Sequence, residues 1–473
     1  MHSKKGNVGN MAMSAPSIEM PDDGVLVAWC GDDFTGAAAV MEVLAFAGLT
    51  TMLFLDVPTP EQLRRFPGLR CIGVASTARA QSPAWMDREL PPVLEQLISL
   101  GPQLLHYKVC STLDSSPETG SIGRAIEIGA DRMSATTVPI LVAAPQMRRF
   151  QFYGHLFAGV GEDVFRLDQH PVMSRHPVTP MTESDVGRHV AHQSGRITPK
   201  VLDLDALAAG AGIAHEDAGE GSRINLVTVD CIDQASEIAA GRAIWEARDD
   251  CPFVVGSQGV EYALVEFWRK NGDLPVIAPP GGIGRTGRMA SVSGSVSPIT
   301  AAQIAWSRAN GFCGIKFDAA AACCRQGGLD REMNRVVDTA MTAIGDGKDP
   351  LVFTAEGPTD PAVQQVRDAV ASAGIDISDA NRRVGEALGR VLHQVLQQSG
   401  AGRAVVSGGD TSGFATQQLG IFALSALAPT IPGASIFRAH ARGPMDGLEL
   451  ALKGGQMGSP DFFGWVRDGG GAR

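Results

Sequence analysis

The sequence predicts an α/β protein of two lobes, each with a mostly parallel sheet, and a ligand-binding cleft between the lobes. Two observations carry this prediction. Apolar runs of about four to eight residues alternate with helical patterns along the chain, which is typical of parallel strands buried on both faces. The 473 residues also exceed what one ordinary hydrophobic core holds, so at least two domains are expected.

The elements follow in order from the first apolar run. Residues 25–29 form a predicted strand, a glycine-bounded turn follows at 31–36, and a helix extends to about Gly48. Further predicted strands occupy 50–57, 71–76, 103–110, 138–145, 223–230 and 251–257, and then 289–295, 314–318, 350–357 and 402–410. Between the two series lies a break rich in proline and glycine. It predicts one domain over 24–278, a linker over 279–289 and a second domain over 290–466.

Composition excludes several classes of partner. The formal net charge of −11 argues against binding to nucleic acid or to an anionic membrane. The eight cysteines include no cluster with the spacing of a zinc site. No stretch reaches about 18 consecutive apolar residues, and the first residues lack the apolar core of a signal peptide. We therefore expect a disordered tail over 1–23 and a cytoplasmic protein.

The turn GDDFTG (31–36) places two adjacent carboxylates, Asp32 and Asp33, between a predicted strand and a predicted helix. Two like charges repel each other, so one structural role does not account for both. Capping of the following helix by Asp33 or Thr35 explains one of them. A general base, or a pair that holds a metal ion or substrate hydroxyls, uses both. From these local features, a capping role and a functional role both remain open.

Other polar side chains in the first half suit a small, polyhydroxylated anion. One group lies at the end of the strand predicted over 103–110 and in the loop after it. The other group lies in the segment MRRFQFYGHLF (147–157). The candidates are Lys108, Ser111, Thr112, Arg148, Arg149 and His155. By itself, the first group is equally compatible with a solvated loop, and a lone histidine such as His155 is more often structural than catalytic.

Three loops rich in glycine and serine lie in the second half, and the first two follow predicted strands. They are SVSGSVSPIT (291–300), VVSGGDTSG (405–413) and LKGGQMGSPDFF (452–463). Backbone N–H groups and hydroxyls in such loops bind phosphate, and a following helix N-terminus adds its dipole. One such loop is more often a tight turn, but three in one lobe favour a phosphate site. The GxGxxG match at 282–287 follows no strand and precedes no helix, so a dinucleotide site is rejected.

Taken together, these segments resemble the four-carbon acid sugar kinase family. The matching pieces run in the family's order over about 24–466. They are GDDFTGA (31–37), the Lys-Ser-Thr segment (108–112), YGHLF (153–157), HPVTPM (176–181) and the three glycine-rich loops. The resemblance implies an N-terminal acid-sugar-binding domain and a C-terminal ATP-binding domain. The implied reaction is phosphoryl transfer from ATP, with Mg²⁺, to a terminal hydroxyl of a tetronate, an oxo-tetronate or a related acid sugar.

The resemblance also implies roles for individual residues. Asp33 would be the general base toward the sugar hydroxyl and Asp32 would orient substrate or a Mg²⁺-bound water, although the two could exchange roles. The implied sugar-facing residues are Thr35, Lys108, Ser111, Thr112 and His155. The implied ATP contacts are Ser295, Gly408, Gly409, Asp410, Thr411, Gly454 and Gly455.

The loop after Lys108 departs from the family pattern. The family commonly has Asp-Ser-Thr-Leu-Arg-Gly there, with Asp and Arg facing the substrate, whereas this chain has Cys110 and Asp114 at those positions. A pocket for an anion that lacks this arginine needs another positive charge. We therefore expect either that Arg148 or Arg149 binds the carboxylate, or that the substrate differs from plain tetronates. A branched oxo acid sugar such as 3-oxo-isoapionate is then a candidate.

Two other function classes compete with a kinase. A non-catalytic acid-sugar sensor would be expected to have decayed glycine-rich loops or a lost carboxylate, and here both features are intact. A phosphatase of the haloacid dehalogenase type needs DxDx[TV] after its first strand, whereas the aspartates here are adjacent. The kinase is therefore favoured. A homo-oligomer is compatible with the sequence.

Overall fold

The computed structural model describes residues 20–176, 178–214, 223–323 and 328–473, with the exception of the Asp410 side chain. Most of the predicted tail over 1–23 therefore lies outside the described residues. The strands are β1 (Val27–Gly31), β2 (Thr51–Phe54), β3 (Cys71–Ala75), β4 (Leu104–Lys108), β5 (Thr137–Leu141), β6 (Arg149–Phe152), β7 (His155–Val160), β8 (Asp163–Arg166), β9 (Ile197–Leu202), β10 (Ile224–Val229), β11 (Phe253–Gly256), β12 (Met289–Ser293), β13 (Phe312–Lys316), β14 (Asp349–Phe353), β15 (Arg403–Ser407), β16 (Ile421–Ala428), β17 (Ile436–Ala441) and β18 (Glu449–Lys453). The helices are α1 (Phe34–Phe46), α2 (Pro60–Arg64), α3 (Pro83–Ile98), α4 (Ile122–Met133), α5 (Val186–Ala191), α6 (Leu204–Ala208), α7 (Gln234–Glu246), α8 (Gly259–Asn271), α9 (Pro298–Ala309), α10 (Gly328–Gly345), α11 (Pro361–Ala373), α12 (Ile377–Ser399), α13 (Gly409–Gln417) and α14 (Phe462–Arg467). Among the described residues, no helix combines the length and the apolar character needed to cross a membrane.

The predicted α/β architecture with two mostly parallel halves is confirmed. The first half has the strand order β2-β3-β1-β4-β11-β5-β10-β9, and all of its pairs are parallel. The second half has a parallel series β13-β14-β12-β15-β18, to which β17 and β16 add in antiparallel orientation. Each strand that the apolar runs predict is present. The sequence did not predict β9, β16, β17, β18 or the separate small sheet β6-β7-β8.

The two halves are joined edge to edge, which the sequence did not predict. Strand β16 pairs with β2 in antiparallel orientation, with Phe54 opposite Ala423 and Leu53 opposite Leu424. The result is one continuous 15-stranded sheet. The central strands β1, β4, β12 and β15 are buried along their whole length, because helices cover both faces of the sheet.

The strand order of each half places a ligand-binding edge beside its first strand. Strand β1 lies between β3 and β4, and β12 lies between β14 and β15, so the chain switches direction across the sheet at these strands. Ligands bind outside the carboxyl ends of parallel strands at such switch points. The register sets Gly31 opposite Lys108 in the first half and Ser293 opposite Ser407 in the second. The aspartate turn and two of the glycine-rich loops therefore begin at these edges.

Helix α1 forms a second junction between the halves. Its first residue, Phe34, packs against α13, where a Cβ at Gly413 would lie 2.9 Å from the ring. Farther along α1, the buried Glu42 carboxylate accepts a hydrogen bond of 3.1 Å from the backbone N–H of Gly433, in the connection between β16 and β17. Burial raises the pKa of Glu42 to about 7, although hydrogen bonds around Gly433 and Ser435 oppose the shift.

Replacing Glu42 by glutamine is expected to remove a pH-dependent loss of stability. The pKa of Glu42 is higher in the folded protein than its ordinary value of 4.5, so the folded state binds more protons and its stability falls as the pH rises from about 4.5 to 7. Between pH 5 and pH 8, the difference in free energy of unfolding should shift in favour of E42Q by about 2–3 kcal/mol. Urea unfolding of both proteins across this pH range measures the shift. A difference that stays constant with pH would contradict it, and E89Q, at an exposed site, is the control.

Candidate active site

Asp33 caps helix α1 and is held in place by its neighbours. Its Oδ1 accepts a hydrogen bond of 2.8 Å from the backbone N–H of Gly36, and its Oδ2 accepts one of 2.6 Å from the Thr35 hydroxyl. Of the two candidates for the cap, Asp33 and Thr35, the structure has Asp33 in that position, and Thr35 contacts Asp33. A Cβ at Gly36 would lie 2.3 Å from Asp33 Oδ1 and 2.8 Å from the ammonium nitrogen of Lys108, so only glycine fits at position 36.

One guanidinium holds both aspartates together, and the sequence did not predict it. Arg79 Nη2 donates to Asp32 Oδ1 and to Asp33 Oδ1, each at 2.7 Å, and its Nε donates to Asp32 Oδ2 at 3.1 Å. Arg79 follows strand β3, which pairs with β1, so its proximity to the aspartates depends on strand order. This charge pairing explains how two adjacent carboxylates are accommodated in one turn.

The two aspartates differ in accessibility and in acidity. The Asp32 side chain is 5% exposed and the Asp33 side chain is 21% exposed. Burial raises the pKa of Asp32 against the opposing charge of Arg79, and the neighbouring Asp33 raises it further. Burial also acts to raise the pKa of Asp33, but Arg79, Lys108 and the two hydrogen bonds outweigh it, so that pKa is lowered. Asp33 is therefore an ionised carboxylate within reach of a ligand.

Lys108 and the loop after it form one side of the site. The Lys108 side chain is buried, donates a 2.6 Å hydrogen bond to the Val109 carbonyl, and places its charge beside the two aspartates. In the loop, Thr112 Oγ1 lies 3.0 Å from Cys110 Sγ, and Ser111 stands between them in sequence. Farther on, Asp114 accepts a hydrogen bond of 2.9 Å from Thr179. This bond ties the loop to the HPVTPM segment.

The structure separates Arg148 from Arg149. Arg148 has a left-handed backbone (φ +56°), and its guanidinium donates to the carbonyls of the turn at residues 161–163. Arg149 is the first residue of strand β6, in which successive side chains alternate between the two faces. Its side chain points away from that of Arg148, and the residue is partly buried. His155 Nδ1 lies 2.9 Å from the hydroxyl oxygen of Ser184. The Arg148 guanidinium is thus engaged by this turn, and contact of either arginine with the substrate stays a prediction.

In the second half, the three glycine-rich loops converge. A Cβ at Gly455 would lie 2.4 Å from Ser295 Oγ, and a Cβ at Gly294 would lie 2.2 Å from Thr411 Oγ1. The φ of Gly408 is +128°, which favours glycine. Gly454 belongs to the same loop as Gly455. Loop contacts of this kind bring the predicted ATP-contacting residues together, except that the side chain of Asp410 lies outside the described part of the structure.

The start of helix α13 presents open space and unpaired donors. A Cβ at Gly409 would meet no atom within 4 Å. At the ends of the neighbouring strands, the Ser293 and Ser407 hydroxyls are buried and have no hydrogen-bond partner among the described residues. Lys453, which is in register with Ser407, donates to the Gly454 carbonyl at 2.8 Å, and burial lowers its pKa to about 8. Ser293 and Ser407 are not among the predicted ATP contacts, although both lie in the segments of the first two loops, and Lys453 is the lysine of the third loop segment.

The two clusters lie close to each other across the α1–α13 contact. Phe34 follows Asp33 directly, and it packs against Gly413, which is about 6 Å along the axis of α13 from Gly409. A carboxylate with its counter-charges and a set of phosphate-type loops therefore face one junction between the halves.

Comparison with known proteins assigns both halves. The model of a sugar-binding N-terminal domain matches residues 27–264, and the model of a nucleotide-binding C-terminal domain matches residues 290–463. A 3-oxo-isoapionate kinase from Paraburkholderia graminis is 46% identical over 448 residues, which cover 94% of this chain and 95% of the relative. The chain belongs to the four-carbon acid sugar kinase family. It is a phosphotransferase that uses ATP and an acid sugar, as the resemblance implied.

Two further similar proteins have lower sequence identity to this chain. A 3-oxo-tetronate kinase from Pseudomonas savastanoi pv. phaseolicola is 29% identical over 445 residues, which cover 93% of this chain and 96% of the relative. The crystal structure of a Salmonella typhimurium LT2 protein, 26% identical, superimposes with a TM-score of 0.72 and covers 93% of this chain and 98% of that protein. The two-domain α/β architecture of this acid sugar kinase is thus shared with a solved structure.

Proposed function

We propose that this kinase phosphorylates a terminal hydroxyl of 3-oxo-isoapionate or of a closely related branched oxo acid sugar. The observation that carries the proposal is the 46% identity to a 3-oxo-isoapionate kinase, against 29% to a 3-oxo-tetronate kinase of similar coverage. The presence of Cys110 and Asp114 where the family commonly has Asp and Arg supports a substrate other than a plain tetronate.

Asp33 is the proposed general base. It is ionised, it is the more exposed of the two aspartates, and its position is fixed by Gly36 and Thr35. In the reaction, the sugar hydroxyl loses its proton to Asp33, its oxygen forms a bond to the γ-phosphorus of ATP, and the bond from that phosphorus to the bridging oxygen breaks to release ADP. Phosphoryl transfer depends mainly on positioning and charge stabilisation, so a single carboxylate suffices as the base.

For Asp32 we propose a different role from the one that the resemblance implied. Both of its oxygens accept hydrogen bonds from Arg79, and its side chain is nearly enclosed. A Mg²⁺-bound water would need access to those oxygens, and the enclosure of the Asp32 side chain opposes that access. Asp32 instead holds Arg79 beside Asp33, and Lys108 supplies the second positive charge.

The nucleotide phosphates fit the loops of the second half. The open space at Gly409, the start of α13 and the unpaired hydroxyls of Ser293 and Ser407 provide donors for an anion. Among the residues that the structure describes, no group of three or more acidic, histidine or cysteine side chains suits a metal ion. We propose that Mg²⁺ arrives with ATP, because this ion is commonly held by substrate phosphates, waters and one or two carboxylates.

A cytoplasmic location and a homo-oligomer stay predictions. The location is supported by the free thiols of the described cysteines, which are typical of a reducing compartment.

A coupled ADP-release assay with Mg²⁺-ATP tests the substrate. The panel contains D- and L-threonate, erythronate, their 2- and 3-oxo forms, and 3-oxo-isoapionate. We expect 3-oxo-isoapionate to have the highest kcat/KM, by about tenfold or more over the tetronates. A higher kcat/KM for a 3-oxo-tetronate would contradict the proposed substrate and leave the kinase activity in place. The D33N protein, assayed in parallel, controls for a contaminating kinase.

A further inference from the structure

The small sheet β6-β7-β8 turns one face toward the body of the first half. Arg149, Ala158 and Phe165 stand opposite one another on its three strands, so their side chains share that face. Leu156 and Gln151 lie on the same face and are fully buried, whereas Phe152 and Val164 on the other face are exposed. The Arg149 side chain is therefore directed inward.

Arg149 has a positive charge with no acidic partner in the described part of the chain. Its Nη1 donates to the carbonyls of Met147 and Arg148, at 3.1 and 3.2 Å. Its Nε is buried and has no hydrogen-bond partner among the described residues. Because a buried donor without a partner is costly, such a group in a folded protein points to a water molecule or a ligand that satisfies it.

His170 supplies a second donor of this kind next to the same face. Its Nδ1 accepts hydrogen bonds from the backbone N–H groups of Val172 and Met173, at 3.2 and 3.1 Å. An acceptor Nδ1 carries no proton, so the ring is neutral and its proton lies on Nε2. His170 as a residue is 5% exposed, and its Nε2 has no hydrogen-bond partner among the described residues. The His170 ring packs edge-on against Phe165, with centroids 6.3 Å apart.

The two unpaired donors and the altered substrate loop are near each other. The His170 ring and the Cys110 thiol both lie within electrostatic range of the Arg149 guanidinium. The Cys110 thiol also lies within range of Arg79, which holds the two aspartates. A series of groups thus leads from the proposed base, through Arg79 and Cys110, to Arg149 and His170.

We propose that Arg149 and His170 together form the subsite that binds the substrate carboxylate, through the buried Nε–H of one and Nε2–H of the other. The subsite rests on the proposed function, in which an acid sugar lies between this loop and Asp33. It supplies the positive charge that the loop lacks at Asp114. The fixed Nε2–H tautomer makes His170 a hydrogen-bond donor only, which suits an anionic oxygen and excludes a cation.

Kinetic assays of R149M and H170N test the subsite. Asparagine at 170 keeps an oxygen that can accept the two backbone N–H groups, but it lacks the distal donor. With the best acid sugar of the panel, R149M should raise the substrate KM about 10- to 100-fold and H170N about 3- to 10-fold. The KM for ATP should stay that of the wild type. With the neutral carboxamide of the same sugar, the KM values of the variants should match that of the wild type.

R166M is the control, because Arg166 lies on the exposed face of the same small sheet and pairs with Asp168. A substrate KM for R149M and H170N equal to that of the wild type would overturn the proposal. So would equal increases for the acid and the carboxamide, because they would indicate a structural role. If the wild type phosphorylates none of the acid sugars in the panel, this result overturns the proposed substrate but not the subsite. Calorimetric binding of 3-oxo-isoapionate then tests the subsite, and binding that R149M leaves unchanged overturns it.

Discussion

Replacing Asp33 by asparagine is expected to lower kcat by about 10²- to 10⁴-fold, the usual effect of losing a general base. Asparagine has the same size, and its side-chain oxygen can still accept the hydrogen bond from Gly36 that caps α1, so the fold should be retained. What is lost is the negative charge that accepts the hydroxyl proton and pairs with Arg79. ADP release at saturating ATP and acid sugar measures kcat, and thermal unfolding measures whether α1 is intact.

Asp32→Asn is the matched comparison for this variant. Asp32 is more deeply buried than Asp33 and binds Arg79 through both oxygens, so D32N should lower the unfolding temperature as well as kcat. D33N should lower kcat with a smaller effect on stability. A decrease of less than about threefold in D33N would be far below the loss expected for a base and would move that role to Asp32.

The sequence was informative where one local pattern determined one structural outcome. The buried parallel strands have apolar runs that are visible without any partner strand, so β1, β4, β12 and β15 were all predicted. Strands β6 and β8 contain arginine, glutamine and aspartate because one face of the small sheet is exposed, and their apolar signal is correspondingly weak. The β2–β16 pairing depends on two strands far apart in the chain. No local pattern encodes that contact.

The same distinction applies to the site. Asp32 and Asp33 stand in a motif, and the three glycine-rich loops follow strands, so each could be found from the sequence. Arg79 could not, because it reaches the aspartates only through the position of β3 beside β1. Arg148 and Arg149 are adjacent in sequence but point in opposite directions. The left-handed backbone of Arg148 and the alternation of side chains along β6 separate the two guanidinium groups. Neither effect can be inferred from two adjacent arginines in a sequence.

A valine at Gly409 is expected to weaken ATP binding by about 100-fold or more, with acid-sugar binding retained. Phosphate oxygens must approach the backbone N–H groups at the start of α13 to about 2.9 Å. A Cβ at Gly409 meets no protein atom within 4 Å, so the valine methyl groups would enter the space that the phosphates need without disturbing the fold. The φ of Gly409 is not left-handed, unlike that of Gly408, so the backbone accepts a side chain. Calorimetric titration with Mg²⁺-ATP and, separately, with the acid sugar measures both affinities.

Gly345→Val is the matched control for this variant. Gly345 ends helix α10 in the same half of the molecule, and a Cβ there also meets no atom within 4 Å. G345V should therefore bind ATP as the wild type does. If G409V also bound ATP normally, the phosphates could not lie at the start of α13, and the nucleotide would have to be assigned to another of the convergent loops. If G409V lost both ligands together with its unfolding temperature, the substitution would have disturbed the α1–α13 contact, through which Phe34 and the neighbouring Asp33 depend on this helix.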